Sequence, residues 1–265
     1  MGLKHLVPLG ARNFLRPTYQ WVCRGMQKTR QSHASWKQFR KDYQEFVFRQ
    51  ERIRPEQPAL WNERYPCLND RTAATGFDRH YVYHTAWAAR VLSETCPEMH
   101  YDISSCLYFI GVLSAFVPVR FWDYRPAALK LSSLESGACD LLQLPFPSQS
   151  INSLSCLHVL EHVGLGRYGD PVDADGDFKA MAELVRVLAP GGDLLIVVPV
   201  GKPKVKFNAH RIYSFEMIRE RFRPLTLHQF SLVPDDPESP LIIDAAPEMV
   251  AEQEYGCGCF WFRSA

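Results

Sequence analysis

The chain has 265 residues, 46% hydrophobic and 22% charged, ordinary globular proportions that exclude wholesale disorder. The net charge of +1 conceals a split: residues 1–54 hold twelve Lys/Arg against three Asp/Glu, a balance of +9, and the remainder a balance of −8. With eight cysteines but no Cys-x-x-Cys pair, and no run near the ~18 apolar residues of a membrane span, the expectation is a reduced, cytoplasmic chain without disulfide staples. The apolar start is broken by Pro8 and Gly10, too short for a signal peptide core.

Residues 1–70 are expected to form a basic, partly helical extension and connector. Arg16, Tyr19, Trp21 and Arg24 are followed by Trp36, Phe39, Tyr43 and Phe46 at helical spacing between Ser35 and Arg52. Such a segment either lies on an anionic membrane surface or packs its aromatic stripe on protein. Pro55, Pro58 and Pro66 then suggest an extended connector. Residues 71–265 read as one α/β domain. A helix is predicted from Thr72 to Leu92, with His80 and His84 four apart on one face, where they either line a pocket or are ordinary partly buried histidines. Strands are predicted at Tyr101–Ser104, Val117–Trp122, Ile151–Leu157, Asp193–Pro199, Leu225–Val233 and Gly256–Phe262. Helices are predicted at Tyr108–Phe116, Phe178–Leu188 and Ser214–Phe222. That alternation points to a mostly parallel, doubly wound sheet, and the last two strands, lacking a helix between them, to an antiparallel edge. Cys257 and Cys259 share one face of the final strand.

Two stretches carry most of the functional information: Leu144-Pro-Phe leading to His158-Val-Leu-Glu-His162, and Arg186-Val-Leu-Ala-Pro-Gly-Gly192 leading into the apolar run that ends at Pro199. In order and spacing this resembles the second half of class I S-adenosylmethionine (SAM) methyltransferases. The resemblance implies a Rossmann-like fold with SAM as cofactor, bound at the carboxyl ends of the strands. Asp123, at the end of the second strand, is placed to take the ribose diol, with Tyr124 beside it. Asp140 matches the adenine-recognising acid, with Leu141 next to it, and His158 closes the fourth strand. The first turn departs from the pattern. Asp102 is the expected acid, but Ser104 and Ser105 stand where the family has glycines, so a turn that needs positive φ is strained there.

The strings Tyr101-Asp-Ile-Ser-Ser-Cys-Leu-Tyr-Phe-Ile-Gly111, Gly164-Leu-Gly-Arg-Tyr-Gly-Asp-Pro171 and Phe207-Asn-Ala-His-Arg-Ile-Tyr213 are also similar to a narrower, uncharacterised family of methyltransferase-like proteins, over roughly residues 75–235. Some members lie among glycan-assembly enzymes, which implies a small-molecule or glycan-linked acceptor. Glu161, His162, His210 and Arg211 are the catalytic candidates: a histidine to take the acceptor's proton, and Arg211 to grip a phosphate or carboxylate. Three further patterns are set aside. Gly164–Gly169 fits G-x-G-x-x-G without a following helix. His158–His162 fits H-x-x-E-H at a strand end rather than on a helix. Asp170, Asp173, Asp175 and Asp177 are read as helix capping. No metal and no nucleic-acid partner are expected, the latter because the body is acidic. Two functions stand: a SAM-dependent methyltransferase, or a non-catalytic scaffold of that shape that lost SAM through its serine-substituted loop and sits peripherally on a membrane through residues 1–54.

Overall fold

The computed structural model describes residues 33–265; the expectations for Arg16, Tyr19, Trp21 and Arg24 lie outside them. The chain divides into two compact units, Met1–Gly76 and Phe77–Ala265, a few residues beyond the boundary expected from sequence. In the first unit, α1 (33–53) carries the aromatic stripe, and the connector folds back onto it. Tyr43 packs edge-on against Trp61 with ring centroids 4.9 Å apart, and its hydroxyl donates to the Ala59 carbonyl at 2.7 Å. Arg40 and Arg64 lie over the Trp61 ring, so part of the stripe finds its cover within its own unit.

The second unit holds α2 (Arg79–Thr95), β1 (His100–Ile103), α3 (Leu107–Leu113), β2 (Val119–Asp123), β3 (Leu134–Ala138), β4 (Ile151–Leu157), α4 (Gly176–Val187), β5 (Leu188–Val200), β6 (Lys204–Lys206), β7 (His210–Ile212), α5 (Phe215–Arg221), β8 (Thr226–Val233) and β9 (Gly256–Arg263). Seven of the strands form one sheet in the order β3-β2-β1-β4-β5-β9-β8. The first five are parallel, and β9 runs antiparallel to both β5 and β8. This is the Rossmann-like, mostly parallel class with an antiparallel edge that the sequence predicts.

Period-2 alternation sorts the central strands onto two cores. Leu194, Ile196, Val198, Phe260 and Phe262 face α4 and α5, where Met181, Leu184, Ile218 and Phe222 are buried. Leu195, Val197, Cys257, Cys259 and Trp261 face the other way, against Trp87, Val91 and Leu92 of α2 and Ile110 of α3. Both sheet faces are thus covered, which lets β4 and β5 be apolar throughout.

Several elements differ from expectation for local reasons. α2 begins at Arg79 rather than Thr72 because Asp78 caps it, its carboxylate accepting the Tyr81 N–H at 3.2 Å. The helix before Pro190 ends at Val187, and Leu188 already pairs with Ile151. Pro190-Gly-Gly192 forms an irregularity inside β5, with Gly191 at φ +72°. Asp175 occupies the position before α4 without a side-chain capping bond. Asp173 instead accepts the Asp175 N–H and pairs with Lys179. β3 and the β6–β7 hairpin have no counterpart in the sequence reading. No helix among the described residues is long and apolar enough to cross a membrane.

Candidate functional site

The order of connections reverses between β1 and β4, with β2 and β3 on one side and β5 on the other, and a crevice opens outside the carboxyl ends of strands at such a switch point. Here a cleft of about 220 Å³ is lined by Ser104, Asp123, Tyr124, Asp140, Leu141, His158 and His162, with Tyr81, Arg125, Tyr168 and Asp170 among its further walls. Six of the eight cofactor candidates named from sequence therefore meet in one place.

Ser104 follows β1 at φ +60°, in the left-handed region. For a residue with a Cβ this costs about 1–2 kcal/mol. Its N–H donates to the Trp122 carbonyl at 2.8 Å, which ties the turn to β2. Asp123 and Asp140 each close a turn with one oxygen. Asp123 Oδ1 accepts the Arg125 N–H at 2.6 Å and Asp140 Oδ1 accepts the Leu142 N–H at 2.8 Å. The second oxygen of each carboxylate has no partner among the described residues and is available to a ligand.

Asp102 and Ser105 do not line the cleft. Asp102 is fully buried; it accepts the Ser105 N–H at 3.0 Å and the Ser155 hydroxyl. Ser155 in turn meets His100 Nε2 at 2.8 Å, and His100 Nδ1 meets Ser153 at 2.8 Å. Because Ser155 donates to the carboxylate, the imidazole must donate to Ser155, which places the ring proton on Nε2. Burial pushes the Asp102 carboxyl up to about 6 and His100 down to about 3. Ser105 Oγ accepts the Leu157 N–H at 3.1 Å, linking β1 to β4. Together these groups form a polar floor beneath the cleft.

The catalytic candidates separate in the same way. His162 Nδ1 lies 2.6 Å from the Ala209 carbonyl, which can only accept, so in the neutral ring Nδ1 carries the proton and Nε2 the lone pair; Arg167, 3.3 Å from that Nδ1, donates to the same carbonyl at 3.1 Å. That Nε2 is 3.8 Å from Glu161 Oε1. Glu161 itself is buried and hydrogen-bonds His158 Nδ1 at 2.7 Å. Burial raises its carboxyl, but the His158 and His162 rings outweigh that and hold it below the usual range. His210 lies on β7 against Tyr255, with ring centroids 4.9 Å apart, and is not part of the cleft wall. Arg211 is buried. It donates to the Val163 carbonyl at 2.6 Å and approaches Asp177 at 3.5 Å, so its guanidinium braces the loop after β4 rather than facing a ligand.

Sequence reasoning missed the outer wall. Tyr81 stacks over His158, centroids 5.6 Å apart, its hydroxyl pushed up to about 12 by burial and the nearby Glu161. Arg125 lies over the Tyr168 ring at 4.4 Å. Asp170 accepts the N–H groups of Gly164, Gly166 and Tyr168, which shapes the glycine-containing loop. An aspartate closing a Gly-x-Gly stretch is a readable turn signal, whereas Tyr81 in a helix carries none.

A family model described as Caenorhabditis protein of unknown function, DUF268, matches residues 146–223. No curated protein matches the chain. Among solved structures, the N-methyltransferase NodS from Bradyrhizobium japonicum, in complex with S-adenosylhomocysteine, is 18% identical, with 68% of this chain and 85% of that one covered and a TM-score of 0.48. The 1,6-didemethyltoxoflavin-N1-methyltransferase from Burkholderia thailandensis is 14% identical, covering 69% and 78%, at 0.46. A SAM-dependent methyltransferase from Aquifex aeolicus is 14% identical, covering 71% and 93%, at 0.43. The chain is thus similar to α/β methyltransferases over most of its length and, across 146–223, to a family described as of unknown function.

Proposed function

We propose that the cleft binds SAM and that the protein transfers a methyl group to an oxygen or nitrogen of a small-molecule or glycan-linked acceptor. The observation that carries this reading is the convergence of Ser104, Asp123, Asp140 and His158 on one cleft at the switch point, with a free carboxylate oxygen on each aspartate. The donor set fits the cofactor. Asp123 accepts ribose hydroxyls, Asp140 accepts an adenine amino proton, and Leu141 and Tyr124 offer apolar surface to the base. When bound, SAM supplies an electrophilic methyl group. His162 takes the acceptor's proton on Nε2, and Glu161, 3.8 Å away, stabilises the imidazolium that forms. Incubation with methyl-labelled SAM and a panel of hydroxyl- and amine-bearing acceptors tests this assignment. Transfer should fall by ~10²–10⁴ in His162→Ala with SAM affinity unchanged; equal transfer by both proteins would remove His162 from the mechanism.

Ser104 supports a second reading. A serine held at φ +60° where glycine is unstrained suits a chain no longer selected for SAM, a scaffold of methyltransferase shape. Phe46, Phe48 and Ile53 are exposed on α1 among Arg49, Arg52 and Arg54, a pattern suited to an anionic lipid surface. Sedimentation with phosphatidylserine vesicles tests that role: loss of binding on removal of residues 1–54 supports it, and equal sedimentation of both proteins contradicts it.

A further inference from the structure

Behind the cleft, on the side of the sheet covered by α2, the wall residue His158 belongs to a second cluster of side chains. His80 from the first turn of α2, His158 after β4 and Cys257 at the start of β9 each present one donor atom, and these atoms lie within 4.8 Å of one another. Three separate elements converge there, so the grouping is a tertiary arrangement rather than a local sequence accident.

The roles of the two nitrogens of His158 are distinct. Nδ1 is held by Glu161 Oε1 at 2.7 Å, while Nε2 is buried and has no hydrogen-bond partner among the described residues. A carboxylate on one imidazole nitrogen, leaving the other unpaired, is the arrangement that orients a histidine for a metal. The glutamate accepts from Nδ1 and so fixes the tautomer that leaves the Nε2 lone pair free. Glu161 is itself almost completely buried, so it is poorly placed to act directly on a ligand in the cleft.

A second observation points the same way. His84, one helical turn after His80, is fully buried, and both of its ring nitrogens lack partners among the described residues. Its ring centroid is 5.0 Å from that of His158. Each such unpaired buried polar atom costs about 1–3 kcal/mol, and the cost disappears when the atom finds a partner. His80 is stacked on His158 at 5.2 Å and on Tyr255 at 4.9 Å, which limits its ring orientations.

We propose that His80, His158 and Cys257 form a binding site for a zinc-like divalent cation, oriented by Glu161 and with His84 as the nearest candidate for the fourth position. Two imidazoles and a thiolate suit a borderline-soft cation and disfavour calcium or magnesium, which take oxygen ligands. Donors bound to zinc at ~2.0–2.3 Å stand roughly 3.3–3.8 Å apart, so the site closes by about 1 Å and the half-buried His80 ring, stacked within 16° of the His158 plane, turns so that its lone pair meets the same ion. On binding, the Cys257 thiol gives up its proton to solvent and the thiolate bonds the cation, so affinity rises with pH. The bound cation ties the start of α2 to the ends of β4 and β9. His158 is also a wall of the cleft, so the cation would fix one side of it. This inference does not rest on SAM binding, and either can fail alone.

Cobalt(II) titration of the full-length protein, stripped of metal by a chelator, tests the site. One equivalent should give near-ultraviolet thiolate-to-cobalt charge transfer and the strong visible bands of tetrahedral cobalt, both erased by zinc. Cys257→Ser should lose the charge-transfer band. His80→Ala should keep it but bind at least tenfold more weakly, and Cys259→Ser should match wild type in both respects. Circular dichroism establishes that each variant is folded, and if Cys257→Ser is not, folded His80→Ala decides. A wild-type spectrum without thiolate charge transfer, the same band in Cys257→Ser, or undiminished affinity in His80→Ala would overturn the proposal.

Discussion

Asp102 and Asp123 stand on neighbouring parallel strands, and both end up doing what a strand-end acid can do, but in opposite surroundings. Asp102 belongs to the floor, where its two oxygens are taken by Ser105 and Ser155 and no surface is exposed. Asp123 belongs to the rim, where one oxygen closes a turn and the other faces the cleft. The adjacent serines divide likewise. Ser105 bridges β1 to β4 from within, and Ser104 is held at positive φ on the rim. A side chain whose hydrogen bonds are completed by the protein maintains the fold; one left partly unpaired at the mouth of a cleft is free to recognise a ligand.

Substitutions that respect this division should sort by it. The largest effect is expected for Asp102→Ala, which strips partners from the buried Ser105 N–H and Ser155 hydroxyl. Urea unfolding should show a loss of about 3 kcal/mol. A loss below about 0.5 kcal/mol would mean that the floor does not hold the fold.

The buried histidines should also be visible in the pH dependence of stability. Burial holds His84 and His100 well below their usual 6.5, so below that pH the unfolded chain takes up protons that the folded chain refuses, and stability falls. Asp102, raised from 3.8 to about 6, works in the opposite direction between those values, because there the folded chain keeps a proton that the unfolded chain releases. His80, lowered to about 4, and His210, also lowered, add to the two rings and outnumber the raised aspartates Asp102 and Asp177, so the net is a loss of stability on acidification from pH 6 to 4. Asp102→Asn should steepen that slope. Urea midpoints recorded across pH in chelator-treated protein measure both, and a flat profile would contradict the burial of the two rings.

The smallest effect separates the two serines. Ser104→Gly relieves the left-handed strain and should raise stability by about 0.5–1 kcal/mol. Ser105→Gly removes the acceptor for the buried Leu157 N–H and should lower stability by about 1–2 kcal/mol. Thermal unfolding of the pair gives the sign of each, and the same sign for both would erase the distinction between rim and floor.

The sequence made the rim more legible than the floor. Ser104 ends the first predicted strand, and Asp123 and His158 directly follow the strands Val117–Trp122 and Ile151–Leu157; the resemblance to methyltransferases is what marks them as cofactor candidates. Their pairing was not legible: Asp102 and Asp123 each follow apolar residues, and only the parallel register, with Asp102 opposite Phe121, shows which one points into protein. Arg211 was unreadable for the same reason, since its partners Val163 and Asp177 come from distant segments. β3 escaped because Leu-Glu-Ser-Gly-Ala has almost no apolar alternation. It is an edge strand whose Gly137 is needed because a Cβ there would lie 2.4 Å from the Trp122 ring. The cluster of His80, His158 and Cys257 depends on three elements meeting, which no local pattern encodes.

Calorimetric titration with SAM and with S-adenosylhomocysteine, on wild type and on Asp123→Ala, tests the division most directly. The account predicts saturable wild-type binding that weakens by about 100-fold in Asp123→Ala, the loss of hydrogen bonds to a charged group worth roughly 1.5–3 kcal/mol. It also predicts that the variant unfolds in urea within about 0.5 kcal/mol of wild type, as a rim substitution should. Absence of heat from folded wild-type protein, or equal affinity in the variant, would contradict the assignment of the rim to SAM.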